Sequence, residues 1–198
     1  IREVTFCHRA RTEPVLKKVD LKVWAGDRIL LEGSSGGGKS TLASLLSGAR
    51  NVGSGLLLLR GLDRDVVGKE GWRRHVVLVP QFHENHVFLG SFAFNALMGR
   101  GWPPSAEDFK EAERTCRALG LGPLLERMPG GLLQNVGETG WQLSHGERSR
   151  LYIARALLQG AEVTILDESL AALDPETLRR NLGFVLERAS TLIVIAHP

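Results

Sequence analysis

The hydrophobic and polar positions of this chain form short apolar runs separated by glycine-containing turns. Val76–Val79, Val163–Leu166 and Leu192–Ala196 are continuous apolar runs, which is typical of strands buried on both faces of a parallel sheet. Arg28–Glu32 is a further compact apolar strand, and it leads directly into a glycine-rich loop. The pattern therefore predicts an α/β core built on a mostly parallel sheet.

The beginning of the chain follows a different pattern. The β-type runs at residues 2–6, 15–24 and 55–60 are separated by polar or glycine turns. Such spacing is typical of antiparallel strands. We therefore expect these runs to form an N-terminal antiparallel β subdomain.

Helical spacing of apolar residues appears in three places. Leucines recur at helical spacing within Ser40–Ala49. Ala106–Leu119 follows a Pro-Pro-Ser segment and is followed by Gly120, which are typical start and stop signals of a helix. The spacing predicts another helix from about Glu147 to Gln159. The second and third of these helices indicate an inserted α-helical subdomain.

We expect a single domain over residues 1–198. Its α/β core and antiparallel subdomain would occupy about residues 1–81 and 151–198, and its helical subdomain about residues 82–150. The chain starts at Ile1 without a methionine and stops one residue after a histidine. We therefore expect it to be a piece of a longer polypeptide.

Composition narrows the class of protein only a little. The 198 residues are 43% hydrophobic and 24% charged, within the range of soluble globular domains. The net charge is +3 and the isoelectric point about 9.1, which could suggest a polyanion partner. Because the sequence contains no block of Lys and Arg residues, an ordinary mildly basic surface is the simpler interpretation. Cys7 and Cys116 lack metal-type spacing, so we expect free thiols in a reducing compartment. No run reaches the roughly 18 apolar residues of a membrane helix.

The glycine-rich loop matches the phosphate-binding pattern G-x-x-x-x-G-K-[ST]. Its glycines let successive amides turn toward phosphate oxygens, and the helix that it opens favours an anion at its N-terminus. The lysine would reach the β- and γ-phosphates, and the serine hydroxyl would bind Mg²⁺. The alternative is a glycine-rich turn that merely joins a strand to a helix. The motif consists of Gly33, Ser34, Ser35, Gly36, Gly37, Gly38, Lys39 and Ser40, with Thr41 directly after it.

An acidic pair follows one of the buried strands. Asp167 and Glu168 come directly after Val163–Leu166, at the carboxyl end of a strand, where open α/β sheets bind ligands. Asp167 would hold Mg²⁺ through water. Glu168 would act as the general base that polarises an attacking water, an effect of roughly 10²–10⁴ in rate. Taken alone, such a pair is more often a helix cap or a solvated turn.

A third segment gives the family resemblance. Leu143–Arg148 reads Leu-Ser-His-Gly-Glu-Arg and is similar to the signature of the ATP-binding cassette (ABC) family, usually Leu-Ser-Gly-Gly-Gln-Arg. Nearly the whole chain resembles the nucleotide-binding domain of ABC transporters, with a phosphate-loop (RecA-like) core. The resemblance implies that Ser144, His145, Gly146 and Glu147 close on the γ-phosphate held by an opposite subunit. The simpler interpretation is a helix cap at Ser144, completed as a capping box by Glu147.

Other positions take roles only through this resemblance. Gln81 matches the glutamine that contacts Mg²⁺, and His197 matches the histidine that reaches the γ-phosphate and the catalytic Glu168. Ser169–Asp174 is similar to the loop that contacts the other subunit, and Asp174-Pro175 is also a suitable start for a helix. Val136–Gly140 resembles a loop found in exporters, where it contacts the transmembrane domains; otherwise it is a glycine-rich turn.

The chain departs from the family pattern at three positions. His145 replaces a glycine and limits close backbone approach. Glu147 replaces a glutamine, and its carboxylate would either repel the γ-phosphate or face solvent, so this half-site could turn over slowly. His8 stands where an adenine-stacking aromatic residue is expected. We predict it either as an ATP contact of smaller stacking area or as a plain loop residue.

The leading hypothesis is an ATP hydrolase that drives export across a membrane. The resemblance implies ATP and Mg²⁺ as ligands, a second nucleotide-binding domain (identical or different) and transmembrane domains (fused or separate). It also implies a place at the cytoplasmic face of a membrane and no nucleic-acid partner. One alternative is a non-transport ABC ATPase acting on nucleic acid or ribosomes. Another is a small-molecule kinase, which would leave Ser144–Arg148 unexplained.

Overall fold

The computed structural model describes residues 1–8 and 12–196, apart from the side chain of Phe82. It divides into two units. The first comprises Ile1–Leu78, Ala161–Asp167 and Ser190–Pro198, and the second comprises Val79–Gly160 and Glu168–Ala189. The predicted division into a core and a helical subdomain stays a prediction.

Most of the strands occupy the apolar runs read from the sequence. They are β1 (Arg2–Phe6), β2 (Leu16–Val19), β3 (Arg28–Leu31), β4 (Ser54–Leu56), β5 (Leu58–Leu59), β6 (Leu62–Asp63), β7 (Val76–Val79), β8 (Gly90–Ser91), β9 (Asn135–Val136), β10 (Val163–Asp167) and β11 (Thr191–Ile195).

The helices include the predicted ones and several short ones that the sequence did not indicate. They are α1 (Lys39–Leu46), α2 (Arg64–Val67), α3 (Lys69–His75), α4 (Phe92–Leu97), α5 (Ala106–Ala118), α6 (Gly122–Arg127), α7 (His145–Gln159) and α8 (Pro175–Arg188). None of the helices in the described residues is long and apolar enough to cross a bilayer.

A sheet of order β3-β11-β10-β7 forms the core that was predicted from the apolar runs. β11 pairs in parallel with β3 on one side and with β10 on the other. Ile165, Ile193 and Ile195 of these strands are almost completely buried, together with Trp72 of α3. Burial of apolar side chains on both strand faces is the reason why the runs are continuous rather than alternating. The predicted α/β fold class with a mostly parallel sheet is confirmed.

The antiparallel subdomain is also confirmed, with changes at two of its strands. β1 pairs in antiparallel fashion with β2 and β4. The predicted strand at 15–24 ends at Val19, because the amide of Glu3 donates to the Asp20 carboxylate at 2.9 Å instead of to a strand carbonyl. The predicted run at 55–60 breaks at Leu57, which turns into the core and is 3% exposed. Its second part forms a separate hairpin of β5 and β6.

The two cysteines are free thiols, as predicted, in contrasting surroundings. Cys7 is exposed, whereas Cys116 is buried in α5. Burial raises the pKa of the Cys116 thiol to about 12. Because the thiolate is the reactive form, Cys116 should be inert at neutral pH.

We therefore expect a maleimide reagent at pH 7.5 to label one thiol per native chain. Mass spectrometry should place the label on Cys7, and denaturation should make both thiols reactive. Cys7→Ser is the control, and it should abolish labelling of the native protein. Two labels on the native wild-type chain would contradict the burial of Cys116.

Candidate active site

The glycine-rich loop connects the end of β3 to the start of α1. Gly38 precedes the helix with a φ of 85° and supplies no side-chain cap. A Cβ at this position would lie 3.0 Å from Val15 Cγ1 and 3.1 Å from Leu16 Cδ2. The left-handed backbone favours glycine, and a side chain would in addition press on these two neighbours. The first amides of α1 have no intrahelical acceptor, so this helix end is suited to an anion such as phosphate.

Lys39 lies folded over this loop. The residue is 9% exposed, and Nζ donates to the carbonyl oxygens of Gly33 at 2.6 Å and Ser34 at 2.9 Å. Both acceptors are neutral. Phosphate oxygens in the loop would provide charged acceptors, which attract the ammonium group more strongly than neutral carbonyls do. The lysine is thus held where it could exchange its loop contacts for phosphate contacts.

The carboxyl ends of three parallel strands meet beside the loop. Leu31 of β3 is in register with Ile195 of β11, and Ile195 is in register with Asp167 of β10. With about 4.8 Å between neighbouring strands, the ends of β3 and β10 are about 10 Å apart. Asp167 is 3% exposed. The first unit therefore brings the buried carboxylate and the phosphate loop to the same edge of one sheet.

The oxygen donors at this edge fit Mg²⁺, which prefers hard oxygen ligands and keeps part of its hydration shell. Ser40 is half-buried in the first turn of α1 and offers a hydroxyl oxygen, while Asp167 offers a carboxylate. Gln81, in the second unit, could bind a cation only through its amide oxygen. The Mg²⁺ roles of these three residues remain predictions.

His8 lies in the first unit, half-buried beside Phe6. Its Nε2 is 3.2 Å from Thr41 Oγ1, and its ring meets the Phe6 ring edge-to-face at 5.0 Å. His8 and Phe6 line a pocket of about 600 Å³ together with Arg50 and Asn51. A ring and polar groups around a pocket of this size suit a small planar ligand. The contact of His8 with adenine stays a prediction.

Gln81 and Glu168 meet in the second unit, although they are 87 residues apart in the chain. Gln81 Nε2 donates to Glu168 Oε1 at 3.0 Å. The next residue, Ser169, is buried and donates through Oγ to the carbonyl of Val79 at 3.0 Å. Glu168 has a φ of 51°, a conformation that is uncommon outside glycine and often found at functional sites. The predicted general base is therefore held by a specific side-chain contact.

The signature segment starts helix α7 with a complete capping box. Ser144 Oγ accepts from the Glu147 amide at 3.2 Å, and Glu147 Oε2 accepts from the Ser144 amide at 2.8 Å. His145 is exposed. The helix-cap interpretation of this segment is confirmed, and a cap also leaves a helix N-terminus that can face an anion.

The side chain of Glu147 does not face solvent, which was one of the two expected alternatives; repulsion of a γ-phosphate stays a prediction. The side chain is 12% exposed, and its Oε1 accepts from Arg127 Nη2 at 2.5 Å. Arg150 is a second cation near this turn, with Nε donating to the Gly146 carbonyl at 3.0 Å. Burial lowers the pKa of Arg150, while the charge of Glu147 opposes this shift. The extra carboxylate is thus held by the cap and paired with a cation.

The loop after the acidic pair starts helix α8 as expected. Asp174 caps the helix by accepting from the Thr177 amide at 3.0 Å, and Pro175 follows at the first helical position. This backbone hydrogen bond lowers the pKa of Asp174. Leu173 and Ala172 lie next to Gly146 of the signature helix.

The exporter-like loop at Val136–Gly140 is tied down at both ends. β9 pairs with β8 in antiparallel fashion, and Gln142 Nε2 donates to the carbonyls of Gly137 at 2.9 Å and Glu138 at 3.1 Å. A Cβ on Gly137, whose φ is 103°, would lie 3.0 Å from the backbone of Leu89. His197 lies outside the described residues, so its predicted role stays a prediction.

Two contacts of this site were not predicted from sequence. The Gln81–Glu168 hydrogen bond joins residues that had been assigned separate roles. Arg127 was not singled out at all, because a lone arginine at the end of a short helix carries no local signal. Its pairing with Glu147 becomes visible only when two helices are placed together.

The strand, phosphate loop, helix and acidic strand end define a phosphate-loop nucleotide-binding domain. A family model described as ABC transporter matches residues 16–171, well over half of the chain. This chain belongs to the ABC transporter family.

Similar proteins include curated relatives and a solved structure. An ATP-dependent lipid A-core flippase of Vibrio cholerae serotype O1 is 37% identical over 199 residues, covering 100% of this chain and 33% of the relative. The flippase of Escherichia coli (strain K12) is 37% identical over 198 residues, covering 99% and 33% respectively. The structure of a bacterial Atm1-family ABC exporter with ATP bound is 31% identical with a TM-score of 0.85, and covers 100% of this chain and 34% of that chain. The chain thus spans about one third of the length of these relatives.

Proposed function

We propose that this domain binds MgATP and hydrolyses it within a head-to-tail pair of nucleotide-binding domains, and that the pair powers export across a membrane. The observation that carries the proposal is the phosphate loop, where Gly38 leaves the α1 amides without a side-chain cap and Lys39 lies across the loop. The similarity of the whole chain to flippases and to an ATP-bound exporter supports export as the direction of transport.

In this proposal the residues act mainly by positioning and by stabilising charge. The loop amides and Lys39 bind the β- and γ-phosphates. Bound Mg²⁺, held by Ser40 and Asp167 and contacted by Gln81, would neutralise phosphate charge. Glu168 accepts a proton from the attacking water, and its hydrogen bond from Gln81 at 3.0 Å orients the carboxylate. His197 would contact the γ-phosphate.

The signature residue Gly146 supports the pairing of two domains. A Cβ there would meet Leu173 Cδ2 at 3.7 Å and the Ala172 carbonyl at 3.9 Å, which is ordinary contact. The packing of this chain therefore does not require glycine, although glycine inside a helix costs about 1 kcal/mol relative to alanine. Close approach of an external group, such as a γ-phosphate bound to a second domain, would explain why this position is glycine.

The second domain is either an identical or a different chain. The transmembrane domains, fused or separate, would contact the loop at Val136–Gly140. The domain would then lie at the cytoplasmic face of the membrane. Stimulation of ATP hydrolysis by DNA or RNA would instead favour an ABC ATPase that acts on nucleic acid.

Ser144→Ala tests the pairing. We expect it to lower ATP turnover about tenfold or more, because the hydroxyl would be lost from the surface that faces the second γ-phosphate. Turnover should be measured on the full-length protein that carries this domain, together with ATP-dependent pairing followed by light scattering.

Ser105→Ala is the matched control. Ser105 also begins a helix with a capping box, formed with Asp108 in α5. Both substitutions remove a helix cap, and each should lower the free energy of unfolding by about 1 kcal/mol. Only Ser144→Ala should affect pairing and turnover. Equal effects of the two substitutions would refute a role of the signature in a paired site.

A further inference from the structure

One carboxylate stands at the N-terminus of the signature helix, where anion binding would favour a neutral or positive surface. Glu147 cannot swing away without breaking the cap, because its Oε2 accepts from the Ser144 amide at 2.8 Å. The side chain is only 12% exposed, so water screens its charge incompletely. A γ-phosphate brought to Ser144 and Gly146 would therefore meet a fixed negative charge.

Arg127 compensates this charge from a different helix. It is the last residue of α6, and its Nη2 donates to Glu147 Oε1 at 2.5 Å. The cap and the arginine thus contact different oxygens of the same carboxylate. The guanidinium is 60% exposed, so it can hold this charge without a large cost of desolvation.

We propose that Arg127 is a positioning residue that neutralises Glu147 and so keeps the signature helix able to bind the γ-phosphate of a second domain. This inference rests on the proposed function, since it concerns the same paired site. Arg127 acts through Glu147 and does not itself contact the nucleotide. It allows the chain to carry a glutamate in its capping box without repelling ATP.

A double-substitution cycle in the full-length protein tests the inference. We expect Arg127→Ala to raise the KM for ATP about fivefold, the effect of losing one partly screened charge pair. The kcat should change less than twofold, because the repulsion acts on bound ATP and on the transition state alike. In a Glu147→Gln background, Arg127→Ala should change KM less than twofold. Arg127→Lys should restore most of the wild-type KM and should make it more sensitive to salt.

A second measurement does not depend on hydrolysis. In a Glu168→Gln background, the ATP concentration that gives half-maximal pairing should also rise about fivefold with Arg127→Ala. Arg114→Ala is the matched control, because Arg114 forms an exposed pair with Glu107 on α5, with side chains 69% and 65% exposed. It should leave both KM and pairing unchanged, and thermal melting should show that all variants are folded.

The outcomes separate the two proposals. An equal effect of Arg127→Ala with Glu147 and with Gln at position 147 would overturn the inference and assign Arg127 a purely structural role. Normal ATP-dependent pairing without any effect of Arg127→Ala would likewise overturn the inference alone. Absence of pairing in every variant, the parent included, would overturn the proposed function together with it.

Discussion

Glu168→Gln is expected to lower the rate of ATP hydrolysis by about 10²–10⁴ while leaving ATP binding intact. Glutamine has the same size, and its oxygen can still accept the hydrogen bond that Gln81 Nε2 gives to Glu168 Oε1 at 3.0 Å. The geometry should therefore persist, but the side chain can no longer accept a proton from water. Phosphate release measures turnover, and calorimetry with ATP measures binding.

Glu187→Gln is the control, because it removes one carboxylate from an exposed position near the end of α8. It should leave turnover at the parent level. If Glu168→Gln also turned over at the parent level, the general base would have to be another group. If it lost ATP binding as well, Glu168 would be needed for the structure of the site rather than for proton transfer.

The elements that could be predicted from sequence are those whose signals are local. Helix α5 was expected over Ala106–Leu119 and forms at Ala106–Ala118, because Ser105 caps its start and a glycine follows its end. Helix α4 was missed, since Phe92–Leu97 is almost entirely apolar and has no polar face to show helical periodicity. The break at Leu57 was also missed, because it depends on the core into which that side chain packs.

The same distinction applies to the candidate site. The phosphate loop and Asp167-Glu168 were recognisable because their residues are adjacent in sequence and follow apolar strands. The Gln81–Glu168 bond spans 87 residues and the Arg127–Glu147 pair spans 20. Such pairings are set by how helices and loops pack, and a single sequence contains no periodic signal for them. The pairing of the Glu147 carboxylate with Arg127 could therefore be identified only from the structure.

The signature illustrates how one local arrangement can serve two purposes. The capping box at Ser144 and Glu147 stabilises α7 by satisfying two amides of its first turn. In the proposed pair, the same helix end would face a phosphate. Glutamate fits the cap but adds a negative charge, which is unfavourable for binding phosphate. In the proposed pair, Arg127 offsets this charge. A substitution that looks unfavourable in sequence can therefore be compensated by one distant residue.

Lys39→Ala is expected to weaken ATP binding by about 100-fold. The lysine is 9% exposed and holds the loop through the carbonyls of Gly33 and Ser34. Its charged hydrogen bonds to the β- and γ-phosphates should contribute about 3 kcal/mol in total, which corresponds to roughly 100-fold in Kd. Calorimetry with a non-hydrolysable ATP analogue measures this change directly, independently of turnover.

Lys110→Ala provides the comparison, because Lys110 is 72% exposed on α5 and carries the same charge. Removing it lowers the net charge equally but should leave the Kd unchanged. Thermal melting should show both variants to be folded, since a loosened loop need not unfold the core. An unchanged Kd in Lys39→Ala would mean that the phosphates bind elsewhere. The glycine-rich loop would then serve only to join β3 to α1.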